Sequence, residues 1–188
     1  VVAIGDAFVD HYRGWGLDTG HVDVVPNWAP LNELVPGSRD NDWSRQQGLP
    51  TEPIRLLYAG TLGRKHNPLL LLDLLDAARA DGVDATLVVC SEGVGADELA
   101  AAAGGRPDVR ILGYQPADRF AEVLASADVM VALLEPDAAA FSVPSKVLSY
   151  LSAGRAIVGL MPADNPAAVD IEASGGFTGG PDAAGAAA

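Results

Sequence analysis

Residues 129–161 read VMVALLEPDAAAFSVPSKVLSYLSAGRAIVGLM, and the order of apolar, small and helix-bounding residues in this stretch decides the fold. The apolar run Val129 to Leu134 predicts a strand, and a loop of small residues follows it. Pro144 suits the first turn of a short helix, where its missing N–H would have had no partner, and Gly154 suits the position just past the helix end. A second apolar strand, Ala156 to Met161, begins at once. A loop entering a helix in this way leaves backbone N–H groups and the positive end of the helix dipole facing a crevice, which makes a seat for phosphate.

The same alternation extends outward from this stretch. Strands are predicted at Ile54–Tyr58, Ala85–Cys90, Val109–Leu112, Val129–Leu134 and Ala156–Leu160. Helices are predicted at Pro68–Ala80, Ala96–Ala103, Pro116–Ala125, Pro144–Ala153 and Asn165–Ala173. The strands are near-continuous apolar runs, as expected of strands buried on both faces. Strand and helix alternate through short connections, which predicts an α/β, Rossmann-like, doubly wound parallel sheet with helices on both faces. Upstream, Val1–Ile4 and Val22–Val25 read as short strands and Ala7–Trp15 as a helix. The Pro-, Asn-, Asp- and Gly-rich stretch that follows holds at most a short helix near Asp42–Gln47 and reads as a boundary. The expected organisation is a remnant of another domain at 1–25, a linker at 26–53 and the Rossmann-like domain at 54–188, whose tail from Gly175 adds one short strand and an incipient helix.

Composition narrows the function. The 188 residues suffice for one domain with a real core, and 49% are hydrophobic. A net charge of −13 argues against general nucleic-acid binding, so a phosphate-bearing partner must be held by a few local cations and backbone amides. No apolar run is long enough to cross a membrane, and the start lacks a signal-peptide pattern. The opening on Val1 rather than Met is the pattern of a fragment. A cytoplasmic location is expected, peripheral at the inner membrane face for the full-length protein. Cys90 is the single cysteine, inside an apolar run, and reads as buried and structural. The three histidines are scattered, so neither a metal site nor His-based acid–base chemistry is expected.

Ligands of doubly wound sheets bind beyond the carboxyl ends of the strands, at a topological switch point. There, Gly60-Thr61-Leu62-Gly63-Arg64-Lys65 puts two glycines and two adjacent cations between a strand and a helix. The glycines admit close backbone approach, and Arg64 with Lys65 would neutralise a diphosphate. The spacing is neither GxGxxG nor a Walker loop. His66 either donates to phosphate or caps the turn. Ser145, Ser149 and Ser152 share a helical face, either toward an anion or toward water. Tyr114 and Gln115 either meet a flat base or pack locally. Glu135 and Asp137 either bond ribose hydroxyls or are solvated, and Trp15, Trp28 and Trp43 either pack across a boundary or lie exposed.

Three runs together resemble GT-B glycosyltransferases of family 4: Val24-Val25-Pro26-Asn27-Trp28-Ala29, the loop Leu57 to His66 with its G-x-x-G-R-K pattern, and Pro144-Ser145-Lys146 through Ala153-Gly154-Arg155 to Val158. The P-S-K version of the last is similar to transferases of bacterial exopolysaccharide and cell-wall glycan pathways. Asp170-Ile171-Glu172 before Gly175-Gly176 matches the late part of the same domain. The resemblance implies retaining transfer of a sugar from a nucleotide diphosphate to an acceptor hydroxyl, with this chain as the C-terminal, donor-binding half. The donor is a substrate and no further cofactor is implied. A glycan or lipid-linked acceptor would be held by the missing N-terminal domain, and the half alone should not turn over. Arg64 and Lys65 would be catalytic through charge. Gly60, Thr61, Gly63, Ser142, Val143 and Ser145 would bind the diphosphate, and Ser91, Tyr114, Gln115 and Glu135 the nucleotide and its ribose. The two glutamates of many members fall here on Phe141 and Ser149. Two other readings therefore stand beside the transferase: a non-catalytic nucleotide-sugar-binding scaffold, and a nucleotide-sugar epimerase of the same two-domain fold.

Overall fold

The computed structural model describes residues 1–63, 66–139 and 144–188. It begins with β1 (Val2–Ala3), α1 (Asp6–Gly14) and β2 (Asp23–Val24). β1 and β2 pair in parallel as a separate two-stranded sheet, and α1 is the crossover that parallel pairing requires. α2 (Asp42–Gln46) is opened by a capping box in which the Asn41 side chain accepts the Ser44 N–H and the Ser44 hydroxyl accepts the Asn41 N–H.

From there strand and helix alternate: β3 (Ile54–Ala59), α3 (Leu70–Ala80), β4 (Ala85–Cys90), α4 (Val94–Ala103), β5 (Val109–Leu112), α5 (Phe120–Ala125), β6 (Val129–Leu133), α6 (Pro136–Ala139), α7 (Lys146–Ser152), β7 (Ala156–Leu160), α8 (Pro166–Ala173), β8 (Phe177–Gly179) and α9 (Ala183–Ala186). The expected strands are all present, and so are the expected helices with shifted ends. The helix expected over Pro116–Ala125 divides into a 3-10 turn at Ala117–Arg119 followed by α5. α6 was not expected, because four residues carry no periodicity to read.

Six strands form one parallel sheet in the order β5-β4-β3-β6-β7-β8. The chain winds outward from β3 to β5, then returns to lay β6 against the other side of β3. That reversal makes the switch point. Leu57 and Ala59 of β3 point into one core with Met130, Ala132 and Tyr150, while Leu56 and Tyr58 point into a second core with Leu71, Leu75 and Leu87. Coverage of both faces is why the strands lack polar alternation.

β3 pairs with β4 along its whole length, from Ile54↔Ala85 to Ala59↔Cys90, but with β6 only at Leu56↔Val129 and Leu57↔Met130. The two central strands therefore separate toward their carboxyl ends. The Tyr150 hydroxyl fills the opening, accepting the Ala59 N–H at 3.1 Å and donating to the Ala59 carbonyl at 2.9 Å. Tyr150 is fully buried, and burial pushes its pKa above the ordinary phenol value.

Stretch 26–53, expected as a linker, gives Leu34, Trp43 and Leu49 to the core. The Trp43 amide donates to Glu122 Oε2 at 2.8 Å and its indole N–H to Gln115 Oε1 at 2.8 Å. Trp15 and Trp28 are 66% and 79% exposed, so the three tryptophans divide between packing and surface. Arg55, inside β3, is a charge that the apolar reading of the strands did not anticipate: it is 2% exposed. Its guanidinium donates to the Ser126 and Pro50 carbonyls, each at 2.6 Å. Asp128 Oδ2 accepts the Arg55 N–H and Arg39 Nε, both at 2.7 Å. Cys90 is buried, and burial pushes its thiol up to about 12.

The Glu122 carboxylate also accepts from Arg119 at 2.8 Å. Arg119 first, and the Trp43 amide second, hold its pKa below the ordinary 4.5. A carboxyl depressed in the folded state contributes stability that is complete above the ordinary value and is lost as pH falls through the folded one. Urea titrations across pH are expected to show the midpoint falling below about pH 4.5. Glu122→Gln should be less stable than the parent at pH 7 and approach it in acid.

Candidate functional site

The loops after β3, β4, β5 and β6 gather at one rim of the sheet. Gly60 leaves β3 with φ +131, a backbone conformation that side-chain-bearing residues rarely adopt, and its N–H donates to the Cys90 carbonyl at 3.0 Å. The Leu62 N–H is taken by Ser91 Oγ at 3.1 Å. Farther on, the Gly63 N–H donates to His66 Nδ1 at 3.1 Å and the His66 N–H to the Gly63 carbonyl at 3.0 Å. This gives His66 the turn-capping role that its sequence position allowed. The first turn of α4 pins the loop from the side, since a Cβ on Gly95 would lie 2.5 Å from the Leu62 carbonyl oxygen.

Where β3 and β6 separate, a cavity of about 330 Å³ opens, lined by Gly60, Thr61 and His66 on one side and by Ser145, Lys146 and Ser149 on the other. Phe120 and Ser149 also line a larger and less polar cavity of about 570 Å³, with Leu34, Gln115 and Ala121. A third cavity of about 360 Å³ lies across the β3 loop, where His66 and Gly63 meet Asn67, Gly95, Glu98 and Glu135. Glu135 Oε1 is buried there with no hydrogen-bond partner. The geometry is that of a small polar cleft joined to an apolar recess, with a carboxylate on the far side of the loop. It suits a ligand with an anionic middle and a flat end.

The residues singled out in the sequence are distributed unevenly over this rim. Gly60, Thr61 and Ser145 share the first cavity. Gln115 lines the second, with its carbonyl occupied by Trp43 and its amide by the Gly113 carbonyl at 2.9 Å. Gly63 and Glu135 line the third. Ser91 is 2% exposed, and its hydroxyl anchors the β3 loop. Tyr114 is half exposed; its hydroxyl donates to Thr61 Oγ1 at 3.2 Å and its N–H to Glu92 Oε1 at 2.9 Å. Arg64, Lys65, Ser142, Val143 and Phe141 lie outside the described residues. Sequence reasoning did not single out Phe120, Gly95 or the side chain of Lys146. Lys146 stood inside a quoted motif and was legible as a cation, whereas nothing local distinguishes Phe120 or Gly95.

Among the described residues no three His, Cys, Asp or Glu side chains are arranged to hold a metal ion, and no helix is long and apolar enough to cross a membrane.

A family model described as glycosyl transferases group 1 matches residues 53–187. Among solved structures, a glycosyltransferase from Rickettsia africae ESF-5 superposes with a TM-score of 0.76 at 15% identity, over 100% of this chain and 51% of its own. Anabaena Alr3699/HepE, solved in complex with UDP and glucose, gives 0.75 at 18% identity over 100% and 51%. WaaG, a glycosyltransferase involved in lipopolysaccharide biosynthesis, gives 0.75 at 19% over 99% and 51%. The chain thus spans about half the length of these structures, and the likeness is one of fold. No curated protein matches it in sequence.

Proposed function

The chain belongs to the glycosyl transferases group 1 family, and from that premise we propose that it is the donor-binding half of a retaining GT-B hexosyltransferase of family 4, of the P-S-K type, working in bacterial glycan synthesis. The observation that carries this reading is the cavity at the switch point, where Gly60 and Thr61 of the loop after β3 face Ser145 and Ser149 across the parting of β3 and β6. A diphosphate suits such a cleft because Thr61 on one wall and Ser145 and Ser149 on the other bring hydroxyl-bearing side chains to it. Gly63, Ser142 and Val143 belong with that set by sequence. The base would occupy the apolar recess beside Phe120 and Gln115, with Tyr114 and Ser91 bracing the loops over it. Glu135, across the β3 loop, would accept hydroxyls of the sugar or the ribose.

In the reaction, negative charge develops on the leaving diphosphate as the bond from the anomeric carbon to oxygen breaks. Arg64 and Lys65 would meet that charge and stabilise the transition state more than the ground state. A glycan or lipid-linked acceptor, held by an N-terminal domain, would supply the hydroxyl oxygen that bonds to the anomeric carbon, its proton passing to the leaving diphosphate. The domain organisation proposed is a remnant of that partner domain at 1–25, a connecting stretch at 26–53 and the donor domain at 54–188, in a protein of the cytoplasm. Among the relatives, Alr3699/HepE was solved with UDP and glucose, which supports a nucleotide sugar as donor.

Calorimetric titration is expected to show binding of at least one UDP-, GDP- or dTDP-sugar to the chain. In the full-length enzyme, Arg64→Ala should lower turnover about a hundredfold, the typical loss on removing one group from a site of developing charge. No binding of any donor, together with unchanged turnover in Arg64→Ala, would overturn the proposal. Ser149 favours a second reading, a non-catalytic nucleotide-sugar-binding scaffold, because it lines both cavities at a position where the sequence resemblance implies a glutamate. Transfer activity of the full-length protein removes that reading, and product analysis without acceptor separates an epimerase.

A further inference from the structure

The cavity between β3 and β6 holds an ammonium as well as glycines and hydroxyls. Lys146 lines it beside Gly60, Thr61, Ser145 and Ser149. The placement is unusual in a chain of net charge −13. Lys146 Nζ lies 4.0 Å from the centre of the Tyr58 ring and donates to Tyr58 Oη. Tyr58 is fully buried, and its own hydroxyl proton goes to the Thr61 carbonyl at 2.7 Å. Its oxygen lone pair is thereby left to the lysine. The ring face and the phenol oxygen help to orient the ammonium. Gly60 lies directly against the lysine: a Cβ there would sit 3.4 Å from Lys146 Nζ and 3.5 Å from Cε.

We propose that Lys146 is a further cation for the donor diphosphate, beyond Arg64 and Lys65, and that Tyr58 is the residue that positions it. The inference rests on the nucleotide-sugar reading above. The pair joins β3 to the start of α7 across the crevice, 88 residues apart in sequence. Lys146 would thus bring its charge to the diphosphate from the wall that carries Ser145 and Ser149.

The test is calorimetry on the 188-residue chain with UDP, GDP and dTDP, each titrated beside its own nucleoside. Lys146→Met is expected to weaken binding of the diphosphate about tenfold or more and leave the nucleoside unchanged, since only the diphosphate meets the ammonium. Lys146→Arg should recover part of the loss. Tyr58→Phe should weaken the diphosphate a few-fold, again with the nucleoside unchanged, which a merely structural role for the phenol would not produce. Should Lys146→Met fail to fold, Lys146→Gln, which keeps a hydrogen-bond donor beside Tyr58, carries the same expected loss. Diphosphate binding equal to the parent in these variants overturns the inference, and so does an equal loss of diphosphate and nucleoside. If no nucleoside diphosphate binds the parent chain, the nucleotide-sugar reading fails and this inference falls with it.

Discussion

Arg55→Ala is expected to lower the stability of the chain by about 3–4 kcal/mol, seen as a reduced urea midpoint and a melting temperature roughly 10 °C lower. The side chain is 2% exposed and its two donated bonds, each 2.6 Å, satisfy the carbonyls of Ser126 and Pro50. Truncation leaves both carbonyls without a partner and a void where the aliphatic stem lay. One contribution opposes these losses. Burial first, and the nearby Arg39 charge second, hold the guanidinium pKa down to about 10, so the charged form is itself disfavoured inside the fold. Arg55→Met removes that cost and fills most of the volume, and its loss should be about half that of the alanine variant. Equal midpoints for Arg55→Ala and the parent would show that the guanidinium does not hold stretch 26–53 against the base of the sheet.

Tyr150→Phe, a change of one oxygen atom, is expected to cost about 3 kcal/mol. In the interior of a parallel sheet the Ala59 N–H and carbonyl would be bonded to the neighbouring strand. Here β6 has already turned away, and the Tyr150 hydroxyl serves both groups at 3.1 Å and 2.9 Å. Removing it strands a buried donor and a buried acceptor, at about 1–3 kcal/mol each. Ala59 also borders the cavity, so the variant should bind a nucleoside diphosphate several-fold more weakly even at temperatures where it stays folded. Denaturation and calorimetry on the same preparation check the two effects. A variant that melts like the parent and binds like it would mean that β6 can close the gap by itself.

How far the sequence carried the fold follows from what each element needs. β4, β6 and β7 were legible because burial on both faces leaves near-continuous apolar runs, and Arg55 in β3 escaped that logic because its partners, Ser126 and Pro50, are set by tertiary packing. Helix ends were less legible. α4 starts at Val94, two residues before the expected Ala96, after Gly93 turns the chain at φ +94. The rim was readable as a collection of loops, since small residues and cations cluster after strands of a doubly wound sheet. Which cavity each side chain enters was not. Glu135 follows β6 as expected, yet it faces Gly63 and His66 rather than Gln115, and Ser91 points inward to hold Leu62. The Lys146–Tyr58 pair depends on contacts between distant segments, and no local pattern announces it.

The parting of β3 from β6 also divides the sheet mechanically. β5-β4-β3 form one leaf and β6-β7-β8 the other, and their backbones are stitched by two residue pairs at one end of a common edge. Such a sheet behaves as a book with a short spine. A molecule bound in the cavity touches both covers, so its binding free energy is shared with the seam between the leaves as well as with the loops. Occupancy of the site would then be felt as stiffness across the whole sheet.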